Sequence, residues 1–289
     1  MMTETPLTAL SEARLTPQAL QQAATLLAFR RERGEVGGLL ADPLRPLSLD
    51  DAFRLQQQVT SVMAVPVAGW KCLLPTSDKL VVAPIYQSTV TRLDESTAAQ
   101  AQCALWPSVV PASVGLARVE PELAFIFAQD LPPKATPYSE AEIDAAIGAS
   151  HLALELIQSR FAHDSGAGYF DQLADGLFNQ GLYLGPQLND AAAGQLGEFS
   201  LQLTMQDGRV QKIDAAHPNQ RPRAGLYWLV NFLSAQQIGL SAGQAVITGS
   251  YAGVLDLPFH QEIQFQYGDL GQFRLRFVPR TSGLLAPSA

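Results

Sequence analysis

Residues 117–127 read Ala117-Arg118-Val119-Glu120-Pro121-Glu122-Leu123-Ala124-Phe125-Ile126-Phe127. In a strand successive side chains alternate, so Glu120 and Glu122 share one face while Val119, Leu123, Phe125 and Phe127 occupy the other. Two carboxylates so close repel each other, and one takes up a proton unless a divalent cation lets both stay ionised. Pro121 has no N–H for a ladder and points to a sheet edge or a bulge. On spacing alone the plainer reading is preferred, in which both glutamates lie on the exposed face of a half-buried strand.

Outward from this strand the texture differs on the two sides. Towards the N-terminus, the first ~60 residues read as helices, with Leu20, Ala23, Ala24, Leu27 and Ala28 at helical spacing, then Ala52, Leu55 and Val59. From about residue 66, short apolar runs such as 79–85 alternate with Gly, Pro and Ser, which favours strands. A long helix is expected to begin at Ser139, with Glu142 completing a capping box and Ile143, Ile147, Leu154, Ile157 and Phe161 on one face. It would carry Glu155 at its middle, with His151 one turn earlier and Ser159 one turn later. Glu155 alone reads as a solvated helix residue, and His151 as a satisfied histidine rather than half of a metal pair. Further on, Phe199, Leu201, Leu203 and Met205 alternate with polar residues before the turn dipeptide Asp207-Gly208. A second helix is expected at about 225–235, with Trp228 and Phe232 in the core, and the tail reads as a strand at 245–248 followed by a hairpin over 263–277. The economical division is a helical N-terminal region, 1–65, and a strand-rich domain, 66–289.

The chain has 289 residues, 47% of them hydrophobic, enough to bury a substantial core. Asp and Glu outnumber Lys and Arg by 27 to 19, so no overall positive field draws in nucleic acid or anionic lipid. No apolar run reaches membrane-spanning length and the N-terminus lacks a secretion signal's order, so a cytoplasmic protein is expected. Cys72 and Cys103 are too few for a disulfide framework or a structural zinc site, and both are expected reduced and buried. Gly34, Gly37 and Gly38 do not form a dinucleotide fingerprint, and no phosphate loop is present.

Taken in order, several segments resemble the fumarylacetoacetate hydrolase superfamily, in its branch of 2-keto-4-pentenoate (2-hydroxypentadienoate) hydratases and 4-oxalocrotonate decarboxylases. They are Gly69-Trp70-Lys71, Val119-Glu120-Pro121-Glu122, Ala153-Leu154-Glu155-Leu156-Ile157-Gln158-Ser159-Arg160, Leu173-Ala174-Asp175, and the run from Leu240 to Ser250 followed by Gly268-Asp269. The resemblance covers about residues 10 to 278. It implies an α+β fold, a mixed β-sheet roll with a smaller helical N-terminal part. It also implies Glu120, Glu122 and Glu155 as ligands of Mg or Mn, a hard cation that prefers carboxylate and water oxygens. Lys71, Asp175 and Ser250 become the catalytic candidates. Where the family stretch reads Asn-Ala-Ser this chain has Gly176-Leu177-Phe178, and Trp70 stands for a tyrosine, so the pocket wall has changed.

The activity so implied is a lyase of aromatic catabolism, adding water to a 2-hydroxy-2,4-dienoate or 2-keto-4-enoate through a metal-stabilised enolate. A 4-oxalocrotonate-type decarboxylase needs the same electron sink. A carbon–carbon bond hydrolase ranks third, because neither His163-Asp164 nor His260-Gln261-Glu262 falls where that chemistry's lid is expected. A 2-oxo-acid-binding partner subunit is the reading from a different class. The expected partners are a small 2-keto acid, further copies of the chain in a homo-oligomer and a related lyase subunit.

Overall fold

The computed structural model describes residues 15–77, 79–93, 101–188 and 196–280. The stretch read against a secretion signal lies largely outside them. Two helices open the described chain, α1 (Pro17–Arg33) and α2 (Leu49–Met63). Each starts on a hydroxyl cap: Thr16 accepts from the Ala19 N–H and Ser48 from the Asp51 N–H, meeting backbone donors that a helix end leaves open.

Strands follow: β1 (Val67–Leu73), β2 (Val81–Tyr86), β3 (Val90–Arg92), β4 (Gln102–Leu105) and β5 (Ala117–Phe127). Next come α3 (Glu140–Ala146), β6 (Ile147–Ile157), α4 (Tyr169–Ala174) and β7 (Asn179–Leu188). The hairpin β8 (Glu198–Met205) and β9 (Val210–Ala216) precedes α5 (Pro222–Ala235). The chain then forms β10 (Ala245–Ile247), β11 (Leu255–Leu257), β12 (Glu262–Tyr267) and β13 (Gly271–Pro279).

The expected long helix over 139–161 is the main correction. Its capping box forms as read, with Ser139 and Glu142 bonding reciprocally, but the helix ends at Ala146 and β6 begins at once. Glu155 therefore sits on a strand. The residues spaced as a helical stripe belong to a strand flanked by β5 and β7 and covered on both faces, where the alternation that marks a half-exposed strand is erased.

One sheet runs β2-β1-β10-β5-β6-β7-β3, with β11 also pairing β5, and a second runs β4-β13-β12-β8-β9. Its two edge strands, β2 and β3, are joined by only three residues, Gln87 to Thr89. Three residues span at most about 10 Å, so the edges must lie near each other and the sheet rolls up on itself. Outside the roll, α1, α2 and α5 pack on Trp70, Val82, Phe125 and Val246, while the second sheet packs on Val119, Leu123, Leu154 and Tyr183. Inside lie small and medium side chains, Ala124, Ala153, Ala245, Ile85, Leu182 and Ile247.

Pro121 is not at an edge of the sheet. It pairs with Leu154 of β6 in the middle of β5, and its carbonyl accepts from the Tyr251 N–H. Its missing N–H therefore faces the side where the neighbouring strand is interrupted, between β10 and β11. Gly69 marks the closest strand approach, since a Cβ there would lie 2.1 Å from the Ala245 carbonyl oxygen of β10.

Candidate functional site

Register places the acidic side chains. Glu120 lies directly opposite Glu155 across β5 and β6, so both point into the roll, and Glu122 follows two residues along the same face. The carboxylate oxygens that Glu120, Glu122 and Glu155 offer lie within 4.8 Å of one another. Glu155 is 0% exposed and Glu122 is 2% exposed; Glu120 is half-buried.

Lys71 reaches the same place from β1. That strand is three positions from β6 in the sheet, about 14 Å in a flat sheet. Its Nζ nonetheless lies 2.7 Å from Glu155 Oε1, a contact that the curl of the roll makes possible. The same ammonium donates to the Leu177 carbonyl at 3.1 Å. Asn179, which the sequence did not single out, donates from Nδ2 to Glu155 Oε1 at 2.9 Å. Glu155 Oε2 is buried with no hydrogen-bond partner among the described residues. Glu122 Oε2 accepts from the Gly249 N–H at 2.8 Å.

The electrostatics are those of crowded carboxylates. Burial and then the neighbouring Glu155 push Glu120 up to about 7. Burial, Glu155 and Glu120 together push Glu122 well above the ordinary carboxylate range. Burial alone would drive the Lys71 ammonium down, but the three carboxylates outweigh it and its pKa is raised. With all three carboxylates ionised, the cluster and its ammonium would carry two net negative charges in a largely buried space. Together with the orphaned Glu155 oxygen, this is the charge and the donor set that a hard divalent cation fits.

Ser250, in the loop between β10 and β11, hydrogen-bonds the carbonyls of Pro121 and Gly253 beside the Gly249 donor. That loop is held from behind by His217, another residue the sequence reading passed over. Its Nε2 faces the Thr248 carbonyl at 3.1 Å while its Nδ1 accepts from the Asn219 N–H, so the ring is neutral with its proton on Nε2. Burial pushes its pKa down to about 4. No short-range signal marks His217, because its partner Thr248 is 31 residues away.

Asp175 is placed differently. Its carboxylate is 2.7 Å from Arg160 Nε and 3.8 Å from an Arg31 nitrogen, and it is absent from the acidic cluster. It opens a turn in which Gly176, Leu177 and Phe178 all have positive φ, 82°, 50° and 68°. Left-handed backbone costs roughly 1–2 kcal/mol for each non-glycine residue, so Leu177 and Phe178 store strain next to the site. His151 bonds the Gly185 carbonyl, and both cysteines are free and buried, as read from the sequence.

Scanned against models of known protein families, the chain matches none. It is 29% identical over 168 residues to a 2-oxo-hept-4-ene-1,7-dioate hydratase of Escherichia coli, a match covering 56% of this chain and 61% of the relative. The chain thus spans about three fifths of the curated relative it matches. Among solved structures it is similar to the 4-oxalocrotonate decarboxylase of Pseudomonas putida G7 complexed with magnesium and adipate. The TM-score is 0.72 at 14% identity, covering 92% of this chain and 100% of that one. The calcium and acetate complex of the same decarboxylase superposes with a TM-score of 0.70, again at 14% identity, with the same coverage. The resemblance read from the motifs agrees with these likenesses, and the α+β roll is the fold of that decarboxylase.

Proposed function

We propose that this chain, built on the fumarylacetoacetate hydrolase fold, is a divalent-metal-dependent lyase that hydrates a 2-hydroxy-2,4-dienoate or 2-keto-4-enoate to a 4-hydroxy-2-keto acid. The observation that carries the reading is the convergence of Glu120, Glu122 and Glu155 on one buried point with Lys71 against them. These three glutamates would hold Mg or Mn, which supplies a fixed Lewis acid for the negative charge that develops on a 2-oxo group. The magnesium and calcium complexes of the decarboxylase of like fold support a hard divalent cation.

The chain's own residues set the rest. Lys71 spends two N–H donors on Glu155 and the Leu177 carbonyl, which leaves a third for the carboxylate or enolate oxygen of a bound 2-oxo acid. The Gly249 N–H fixes Glu122, and the Ser250 hydroxyl next to it ties the loop to the Pro121 and Gly253 carbonyls. The apolar interior of the roll keeps bulk water away, so these dipoles act at low dielectric. Asp175 acts from behind the turn, through Arg160, rather than by touching substrate.

The test is turnover. Purified protein with Mg or Mn should consume 2-hydroxypenta-2,4-dienoate, followed by ultraviolet absorbance, and Glu122→Gln should abolish both turnover and metal affinity. Unchanged turnover in that variant refutes the ligand assignment. Decarboxylation is the second reading, favoured by the fold match that spans the whole of the decarboxylase. Carbon dioxide release from 4-oxalocrotonate without hydration of the dienoate selects it. Metal-dependent binding of oxalate with neither turnover selects a binding subunit.

A further inference from the structure

The turn over 175–179 touches the acidic site on one side and helix α1 on the other. All five of its carbonyl oxygens are taken. Asp175 O accepts from both Arg31 and Arg160, Gly176 O from the Asn179 N–H, Leu177 O from Lys71, Phe178 O from the Gln158 N–H, and Asn179 O from Arg31 at 2.7 Å. Arg31 thus bonds the first and the last carbonyl of a segment whose three inner residues all have positive φ. The outputs of that segment are two contacts to the site, the Leu177 carbonyl on Lys71 and the Asn179 amide on Glu155. Arg31 itself is 7% exposed, near the end of α1, with its guanidinium over the Tyr86 ring at 5.3 Å.

We propose that Arg31 is a positioning residue for the metal site: its fork clamps the left-handed turn 175–179 and so sets Asn179 and Lys71 against Glu155. It bonds none of the three glutamates, and it acts through the turn. A planar, two-armed donor is what the two carbonyls need, and a lysine in its place supplies the charge but only a single point of contact. The helix that carries Arg31 is therefore a working part of the site, not only a cover for the sheet. Its effect on catalysis rests on the metal-dependent reading above; its effect on the turn does not.

The experiment is Arg31→Lys in the full chain, read by hydrogen exchange over 172–182 and by Mn²⁺ titration, with kcat and KM measured separately. The expected result is exchange in this peptide at least ~10-fold faster, with the hairpin peptide over 262–279 unchanged, and Mn²⁺ affinity weakened about 10-fold or more. kcat should fall more than KM rises. Adding Phe178→Gly to Arg31→Lys should restore part of the lost protection, because glycine takes the positive φ without cost, and a general packing role for Arg31 would not be rescued this way. Wild-type protection and wild-type Mn²⁺ affinity in a folded Arg31→Lys protein overturn the proposal, as does failure of the second substitution to restore protection. Should Arg31→Lys not fold, the wild type decides: Leu177 and Asn179 amides that exchange as fast as the exposed 206–209 turn overturn it, and strong protection supports it. A wild type that binds no Mn²⁺ defeats the functional reading and leaves exchange to decide the positioning role.

Discussion

Glu120 is the residue on which the chemistry and the stability of the site meet. Its pKa is raised from the ordinary 4.5 to about 7 by burial and by Glu155, so the metal-free folded protein holds a proton that the unfolded chain has released. Stability contributed by this group is therefore present below about pH 4.5 and is lost as the pH rises towards 7. His217 acts with the opposite sign, since its lowered pKa makes the folded state bind fewer protons between about 4 and 6.5. Comparison of Glu120→Gln with wild type in chelator isolates the first effect. The variant should gain on wild type by about 2 kcal/mol between pH 5 and pH 7 in urea unfolding, against a limiting slope of ~1.4 kcal/mol per pH unit. A gap that stays constant across that range would contradict the raised pKa.

At the scale of elements, β1 and β10 show how backbone approach brings Lys71 into the site. These strands are parallel, with Gly69 opposite Ala245 and Lys71 opposite Ile247. Any side chain at 69 collides with the backbone of β10, since a Cβ there would sit 2.1 Å from a carbonyl oxygen. Gly69→Ala should destabilise the fold by roughly 3 kcal/mol or more, an overpacking cost at the high end because the obstacle is backbone, with a matching drop in the urea midpoint. The β5–β6 pair carries the other half of the site, and here sequence reading failed in an instructive way. Ile147, Leu154 and Ile157 repeat as a helix face would, and Ser139 with Glu142 does start a helix. What turns the chain into a strand after Ala146 is the open edge of β5, which is 117–127 and pairs with nearly all of β6. That edge is distant in sequence, so no window around residue 150 contains it.

Across the whole molecule, the roll concentrates negative charge at one buried point and shields it with helices on one side and a second sheet on the other. A cation that binds there binds only the folded state, because the three glutamates converge nowhere else, so it must stabilise the fold by mass action. Mn²⁺ at about 100 times its Kd adds ~2.7 kcal/mol, which for a chain of this size is a rise in Tm on the order of 5 °C. The rise should be absent in Glu122→Gln. An equal rise in both proteins would mean that the ion binds elsewhere.

Sequence alone determined the local features of this protein. The capping box and hairpin dipeptide, and the alternation that puts Glu120 and Glu122 on one face, are written in neighbouring residues, because short-range geometry and backbone sterics decide them. The ordered motifs also supplied the family resemblance. Only the tertiary structure decided that Glu155 stands on a strand opposite Glu120, that Asn179 and His217 brace the site, and that Arg31 of the first helix reaches the turn beside it. Those contacts join residues tens to more than a hundred positions apart, and they exist because a sheet joined edge to edge by three residues must curl until its strands face one another.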